Sequence, residues 1–369
     1  MKILSVVGTR PNFIKISSLV KEIKNNNIQH TLVHTGQHYD REMSKLFFDD
    51  LKLQKPDFNL GVGSGTYGQQ IGRIIMDIEP IMIREQPDIV IVVGDVNSTF
   101  VGALVAKQLG FKVAHVEAGL RSFDMSMPEE INRILTDRIS DFLFTTEESA
   151  NSNLLNEGIP KDKIHFVGNV MIDTLLEHKK KSHNSKILEK LKITKKDYCT
   201  ATIHRPSNVD NKKSFEKIIS IINKIQKNFK VVFPIHPRTQ KNLEIFGLEK
   251  TMGNMKNLVV TEPLGYLDFI SLMDNSKFVV TDSGGIQEET TMLGVPCVTL
   301  RKNTERPVTL NEGTNMLVST DQNKIITICK AIIQDRKVKG KIPKFWDGKS
   351  SKRIIKILLK ELHNKPNAL

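Results

Sequence analysis

Ile89-Val90-Ile91-Val92-Val93-Gly94-Asp95 is the stretch that decides the fold class. Five β-branched residues in a row leave no polar side chain for water on either face of a strand. A run of this kind is buried on both sides, as in a parallel sheet covered by helices. Outward from it the chain repeats one theme. Ile3-Leu4-Ser5-Val6-Val7 is an apolar run stopped by Gly8, and Phe13, Ile16, Leu19, Val20 and Ile23 then fall at helical spacing. Residues 31–34, 113–116 and 142–145 read as further strands, and 69–84 as a long helix. The second half does the same, with strands over 199–203, 231–235, 258–261, 278–281 and 297–300 and helices over 215–225 and 267–273. Strand–helix alternation in both halves predicts an α/β protein of two Rossmann-like, doubly wound parallel domains. We place the first over 1–170 and the second over 171–350, with a Lys-rich polar stretch (178–196) at the start of the second. Residues 351–369 carry a C-terminal helix expected to pack back on the first domain.

Composition narrows the class. A chain of 369 residues is long for one core and comfortable for two. No run of about 18 apolar residues marks a membrane span. Met1-Lys2 leads straight into the first short strand with no cleavage site behind it, so the expectation is a cytoplasmic protein. Cys199, Cys297 and Cys329 lack metal-ligand spacing and read as buried core thiols. The formal charge is +13. Its lysines are scattered, as in Lys21-Glu22-Ile23-Lys24, and no aromatic residues interleave with them, which argues against nucleic acid and for solvated helix faces. Part of the excess suits an anionic substrate.

In open parallel sheets, ligands sit at the carboxyl ends of the strands, so those ends hold the candidate site. After the first strand, Gly8-Thr9-Arg10-Pro11-Asn12-Phe13-Ile14-Lys15 reads either as a diphosphate site at a helix start or as a plain turn with two cations. After Val93, Asp95 is a helix cap or a functional carboxylate. His115 and Glu117 end another strand, where buried charge needs a partner or a function. Arg121 and Arg133 are the candidate partners of Glu117. Pro128-Glu129-Glu130 opens a helix with ordinary dipole partners. In the second half, His204-Arg205 and His236-Pro237-Arg238 each place a histidine and a cation at a strand end, pointing to phosphate. The sharpest signal is Thr281-Asp282-Ser283-Gly284-Gly285, a turn whose N–H groups and helix dipole would cradle phosphate, with Glu289 one turn on to meet ribose.

One motif misleads. Gly63-Ser64-Gly65-Thr66-Tyr67-Gly68 fits the G-x-G-x-x-G fingerprint, but it follows only a doubtful strand at 56–60 and reads as a loop.

Together the motifs resemble the non-hydrolysing UDP-N-acetylglucosamine 2-epimerase family. They are Gly8-Thr9-Arg10-Pro11, Thr35-Gly36-Gln37-His38, Gly94-Asp95, His115-Val116-Glu117-Ala118-Gly119-Leu120-Arg121, Pro128-Glu129-Glu130-Ile131-Asn132-Arg133, Pro263-Leu264-Gly265-Tyr266, Asp282 to Glu289 and Thr304-Glu305-Arg306-Pro307, in order along nearly the whole chain. The resemblance implies a GT-B-like fold with its site in the interdomain cleft, a homodimer, and UDP-N-acetylglucosamine converted to UDP-N-acetylmannosamine without metal or redox cofactor. It implies Asp95, Glu117 and Glu129 as acid–base carboxylates with His204 at the diphosphate. Arg10, Ser283, Gly284 and Gly285 would hold phosphates, Lys15, Phe269 and Glu289 uridine, and His236 and Arg306 the same cleft. Gln37, Arg73 and Arg205 resemble a regulatory UDP-sugar site of some members. Many members have His-Arg-Arg-Glu-Asn where this chain has His204-Arg205-Pro206-Ser207-Asn208, which leaves room for a UDP-diacetamido-uronic acid as substrate. A glycosyltransferase of the same architecture is the alternative class, set apart by the carboxylate cluster, which a transferase does not need.

Overall fold

The computed structural model describes residues 1–36, 51, 53–334 and 338–363, with Arg10 and His363 described by backbone alone. The chain divides into two compact units. One runs from Met1 to Glu177 and takes back the segment from Lys344. The other is His178–Pro343. The division falls inside the helix Val170–Ser182, a few residues beyond the boundary expected at 170, because the sheet-forming runs stop on either side of that helix.

The first unit holds a seven-stranded parallel sheet in the order β3-β2-β1-β4-β5-β6-β7. Its strands are β1 Lys2–Val7, β2 Gln29–His34, β3 Phe58–Asn59, β4 Ile89–Val93, β5 Lys112–Ala118, β6 Phe142–Thr145 and β7 Ile164–Phe166. The β4 run behaves as its composition demands. Ile89, Ile91 and Val93 enter the core on one face, with Phe13, Ile16 and Leu19 of the helix Arg10–Asn25. Val90 and Val92 enter the core on the other face, with Ile74, Ile78 and Met82 of the helix Tyr67–Glu85. Each of the five is at most 1 % exposed. The last helix, Ser350–His363, joins the first face through Ile354, Ile355 and Leu358. Its N-terminus is tied by Asp173, whose carboxylate accepts the Ser350 and Ser351 N–H groups at 3.1 and 2.7 Å.

The second unit holds a six-stranded parallel sheet in the order β10-β9-β8-β11-β12-β13. Its strands are β8 Tyr198–Thr202, β9 Lys230–Pro234, β10 Leu258–Thr261, β11 Val279–Thr281, β12 Cys297–Thr299 and β13 Asn315–Leu317. Phe215, Ile218 and Ile222 of the helix Lys212–Gln226 fill the core on one face against Ala201, Val231 and Phe233. In both units the order is that of the Rossmann fold, with a switch point beside the first strand: β1/β4 and β8/β11. Strands β7 and β13 were not expected, and β3 falls within the doubtful strand at 56–60. Each is two or three residues long and carries Asn or His, too short to show a period. The glycine-rich 63–68 stretch opens the helix Tyr67–Glu85. A Cβ at Gly68 would meet nothing within 4 Å, so the close packing that makes a dinucleotide fingerprint need its glycines is missing.

β2 carries a pH liability. Burial pushes both His30 and His34 down to about 4, only partly opposed by Asp57 for the first and the Gly8 backbone for the second. The unfolded chain binds these protons near pH 6.5 and the folded chain only near 4. Their contribution to stability is therefore complete above about pH 6.5 and lost as pH falls towards 4. The expected loss at pH 5 is on the order of 2 kcal/mol per histidine, a drop of several degrees in the first unit's melting temperature between pH 7 and pH 5. A calorimetric scan with no drop between those two pH values would contradict it.

Candidate active site

At the first switch point the turn after β1 is latched to β4. Asn12 Oδ1 accepts the Gly8 and Thr9 N–H groups at 3.3 and 3.0 Å, and its Nδ2 donates to the Val93 carbonyl at 2.9 Å. The amides that would favour phosphate after Gly8 are thus already bound to a side chain. Gly94 follows β4 with φ +75°, and a Cβ there would sit 3.3 Å from both Asn12 Nδ2 and Lys15 Nζ, so the position needs glycine twice over. Lys15 points into this corner, and its ammonium lies 2.5 Å from Glu117 Oε2. Both side chains are nearly fully buried, at 6 % and 3 %.

Glu117 has φ +76°, in the left-handed region that costs a branched or long side chain about 1–2 kcal/mol. It stands where the β5–β6 register shifts between Val116 and Ala118. The bulge turns this one side chain out of the strand's alternation and onto Lys15. Of the two candidate partners of Glu117, Arg121 is turned elsewhere. Arg121 instead reaches Asp137 Oδ2 at 2.8 Å and Glu157 Oε2 at 2.7 Å. His115 is structural in the same way, with Nδ1 2.6 Å from Asp137 and Nε2 2.8 Å from the Gly94 carbonyl. Burial pushes the Asp137 carboxyl up, but His115 and Arg121 hold it below the ordinary range.

The other carboxylates come from the β4 end and the helix Pro128–Ile139. Asp95, a quarter exposed, is ion-paired with Arg133. Asn132 Nδ2 donates to the Asp95 carbonyl at 3.0 Å and fixes its backbone. Arg133 also binds Glu130 at 2.5 Å. Burial would raise the Glu130 carboxyl, but the Ser122 and Phe123 N–H groups and Arg133 hold it below the usual range. Glu130 is 1 % exposed, while Glu129 beside it points to the surface. Two adjacent acids in one helical turn therefore divide: one braces the 122–123 loop and the other is open. Lys15, expected at uridine, lies in this first unit on Glu117. Of the expected regulatory set Gln37, Arg73 and Arg205, Arg73 donates to the Val62 carbonyl at 3.3 Å, and Gln37 lies outside the described residues.

At the second switch point Asp282 directly follows β11 and is fully buried. It accepts the His204 and Arg205 N–H groups at 3.1 and 2.9 Å and Asn208 Nδ2 at 2.9 Å. His204 Nδ1 is 3.4 Å from its Oδ1, which turns the imidazole outward. The ring stacks on His236 from the next strand end, with centroids 5.1 Å apart. His236 Nδ1 caps the helix Pro237–Phe246 by accepting the Arg238 N–H at 3.1 Å. Arg238 itself forks onto Asp210 at 2.9 and 2.8 Å, so the second His-plus-Arg pair does not present its cation as expected.

Ser283 is the N-cap of the helix Gly284–Leu293 and makes no side-chain cap, leaving the dipole end to Gly284 and Gly285. One turn on, Glu289 is buried and accepts the Tyr266 hydroxyl at 3.0 Å. That buried hydroxyl is pushed well above the ordinary range. Phe269 is half-buried against the cluster of Met273, Val279 and Ile286. Arg306, expected to line the site, is 4 % exposed and bound to Glu288 at 2.9 Å and Glu305 at 2.5 Å. Arg205 Nη2 lies 3.7 Å from Glu305. Sequence reasoning missed Asp282, Glu305 and the Lys15–Glu117 pair as organising groups. The signal for the first was a lone acid between a β-run and a Ser-Gly-Gly turn. Among the described residues no three His, Cys, Asp or Glu side chains converge to hold a metal ion.

A family model described as UDP-N-acetylglucosamine 2-epimerase matches residues 21–359. The chain is 45 % identical over 365 residues to the UDP-N-acetylglucosamine 2-epimerase of Methanococcus maripaludis, covering 98 % of this chain and 99 % of that one. It is 41 % identical over 370 residues to the UDP-2,3-diacetamido-2,3-dideoxy-D-glucuronate 2-epimerase of Pseudomonas aeruginosa, covering 98 % and 100 %. Among solved structures, the UDP-GlcNAc 2-epimerase of Methanocaldococcus jannaschii in complex with UDP-GlcNAc and UDP superposes with a TM-score of 0.92 at 44 % identity, covering 98 % of this chain and all of that one (100 %).

Proposed function

We propose that this chain, which belongs to the UDP-N-acetylglucosamine 2-epimerase family, inverts C2 of UDP-N-acetylglucosamine by eliminating UDP and adding it back. The observation that carries this mechanism is the buried Glu117–Lys15 pair, held at the end of β5 in a strained backbone conformation, with Asp95 following the neighbouring strand β4. A carbon acid needs a base whose position does not relax. In the first step a carboxylate takes the C2 proton while the C1–O bond breaks and its electron pair leaves with UDP, giving a glycal. In the second a carboxylic acid returns a proton to the opposite face of C2, and a UDP oxygen re-forms the bond to C1. Two faces need more than one carboxyl group, and Asp95, Glu117 and Glu129 supply them. Arg133 is ion-paired with Asp95 and Lys15 with Glu117, which fixes where the two carboxylates stand.

Charge grows on the diphosphate as C1–O breaks. We assign its stabilisation to the helix end at Ser283, Gly284 and Gly285, to His204 held by Asp282, and to His236 and Arg10. Phe269 and Glu289 suit the base and ribose. Arg205 Nη2 lies 3.7 Å from Glu305, so we place it with the diphosphate cluster. Exposed apolar side chains Met76 and Ile83 on the helix Tyr67–Glu85, and Ile131 and Leu135 on Pro128–Ile139, support a homodimer. Among the described residues no helix is long and apolar enough to cross a membrane. Cys199, Cys297 and Cys329 are buried and unpaired, which supports a reducing, cytoplasmic compartment.

Proton NMR of the purified chain with UDP-N-acetylglucosamine in D2O tests the reading, with light scattering on the same sample for the dimer. The expected result is UDP-N-acetylmannosamine carrying deuterium at C2, from a particle of twice the chain mass. No exchange with this substrate, but exchange with the diacetamido-uronic analogue, would move the substrate to the one that the altered 206–207 positions allow. Product without deuterium would remove the proton-transfer mechanism.

A further inference from the structure

Glu305 is 3 % exposed and stands amid three guanidinium groups. Arg301 Nη2 reaches its Oε2 at 2.7 Å, Arg306 Nη1 reaches its Oε1 at 2.5 Å, and Arg205 Nη2 stands 3.7 Å from the same Oε1. The cluster backs onto the first turn of the helix Gly284–Leu293. A Cβ built on Gly284 would lie 2.7 Å from Glu305 Oε1 and 2.8 Å from Arg306 Nη1. With Glu288 on Arg306 Nε at 2.9 Å, three cations face two anions, and a positive charge is left over. Arg301 Nη1 is buried with no hydrogen-bond partner among the described residues, although its side chain is only 4 % exposed. A buried charged donor without a partner is costly, and it persists where a ligand completes it.

We propose that Glu305 is a positioning residue that locks Arg205, Arg301 and Arg306 into one rigid receptor, and that Arg301 contacts the diphosphate of the nucleotide. The inference rests on the UDP-sugar reading above. Three like charges in one small volume repel one another and would splay if nothing joined them. A shared carboxylate holds their forks in register before the ligand arrives, so less order has to be imposed on binding. The same carboxylate also repels an incoming anion. Positioning and counter-charge therefore predict opposite signs when Glu305 loses its charge.

Calorimetric titration of the full chain with UDP and with uridine separates them. If Glu305 positions, Glu305→Gln raises the Kd for UDP at least about tenfold and leaves uridine within about twofold. If it is a counter-charge only, Glu305→Gln tightens UDP or leaves it unchanged, and the inference falls. An equal loss for UDP and uridine would reveal a general packing defect and overturn it too. Should Glu305→Gln not fold, Arg301→Lys keeps the charge and loses the fork; UDP is then expected to weaken at least about fivefold with uridine unchanged. Unchanged UDP affinity in that variant refutes the role of Arg301. An unaltered chain that binds no UDP overturns the function as well, whereas normal UDP binding in both variants overturns this inference alone.

Discussion

Glu117→Gln is expected to lower turnover at least about a hundredfold, the usual worth of acid–base catalysis, while the sheet and its helices stay folded. Glutamine matches the shape of glutamate but cannot take a proton from carbon. The substitution also strips Lys15 of its anion. An ammonium as buried as this one without a partner destabilises by about 3–5 kcal/mol or loses its proton. Lost activity could then follow from a weaker fold, so a second variant is needed. Lys15→Met combined with Glu117→Gln removes both charges, and the melting temperature should return towards that of the unaltered chain. Turnover should stay low in the double variant, because restored packing does not restore a base. Thermal denaturation and the D2O exchange assay, run on the same preparations, read the two effects separately. Near-normal turnover in either folded variant would take Glu117 out of the proton-transfer steps.

The second large effect lies in the other unit. Gly284→Val should raise the Kd for UDP at least about thirtyfold, roughly 2 kcal/mol. The first added carbon already falls 2.7 Å from Glu305 Oε1 and 2.8 Å from Arg306 Nη1. Those groups are not loose ends that can swing aside. Arg306 is fixed by Glu288 and Glu305, and Glu305 by Arg301. The branched side chain would push this network back and also cover the helix N–H groups proposed to meet phosphate. Titration with UDP checks it, with Gly285→Ala as a milder neighbour. Unchanged UDP affinity in Gly284→Val would mean that phosphate binds elsewhere.

Particular residues show where legibility ended. The five-residue run at β4 announced a strand buried on both faces, and its alternate side chains do enter two separate cores. The strands at 142–145 and 258–261 were legible to their end residues, since each is an unbroken apolar or β-branched run between polar turns. The strand ends gathered the candidate residues, because parallel topology puts all carboxyl ends of a sheet on one edge. Partners were not legible. Arg121 stood four residues from Glu117 and looked like its counter-ion, yet the left-handed turn at Glu117 sends the two side chains to different carboxylate partners and cation partners. Glu129 and Glu130 looked equivalent, and only the 122–123 loop tells them apart.

By itself the sequence determined the class of the fold and the family, because hydrophobic period and motif order are local and survive being read one residue at a time. The tertiary structure alone decided which charges meet. Lys15 and Glu117 are 102 positions apart, and Glu305 gathers arginines from 205, 301 and 306. Coulomb interactions depend on distance in space, and in a parallel sheet that distance is set by strand order, which reverses at the two switch points and has no signature in any single stretch of chain.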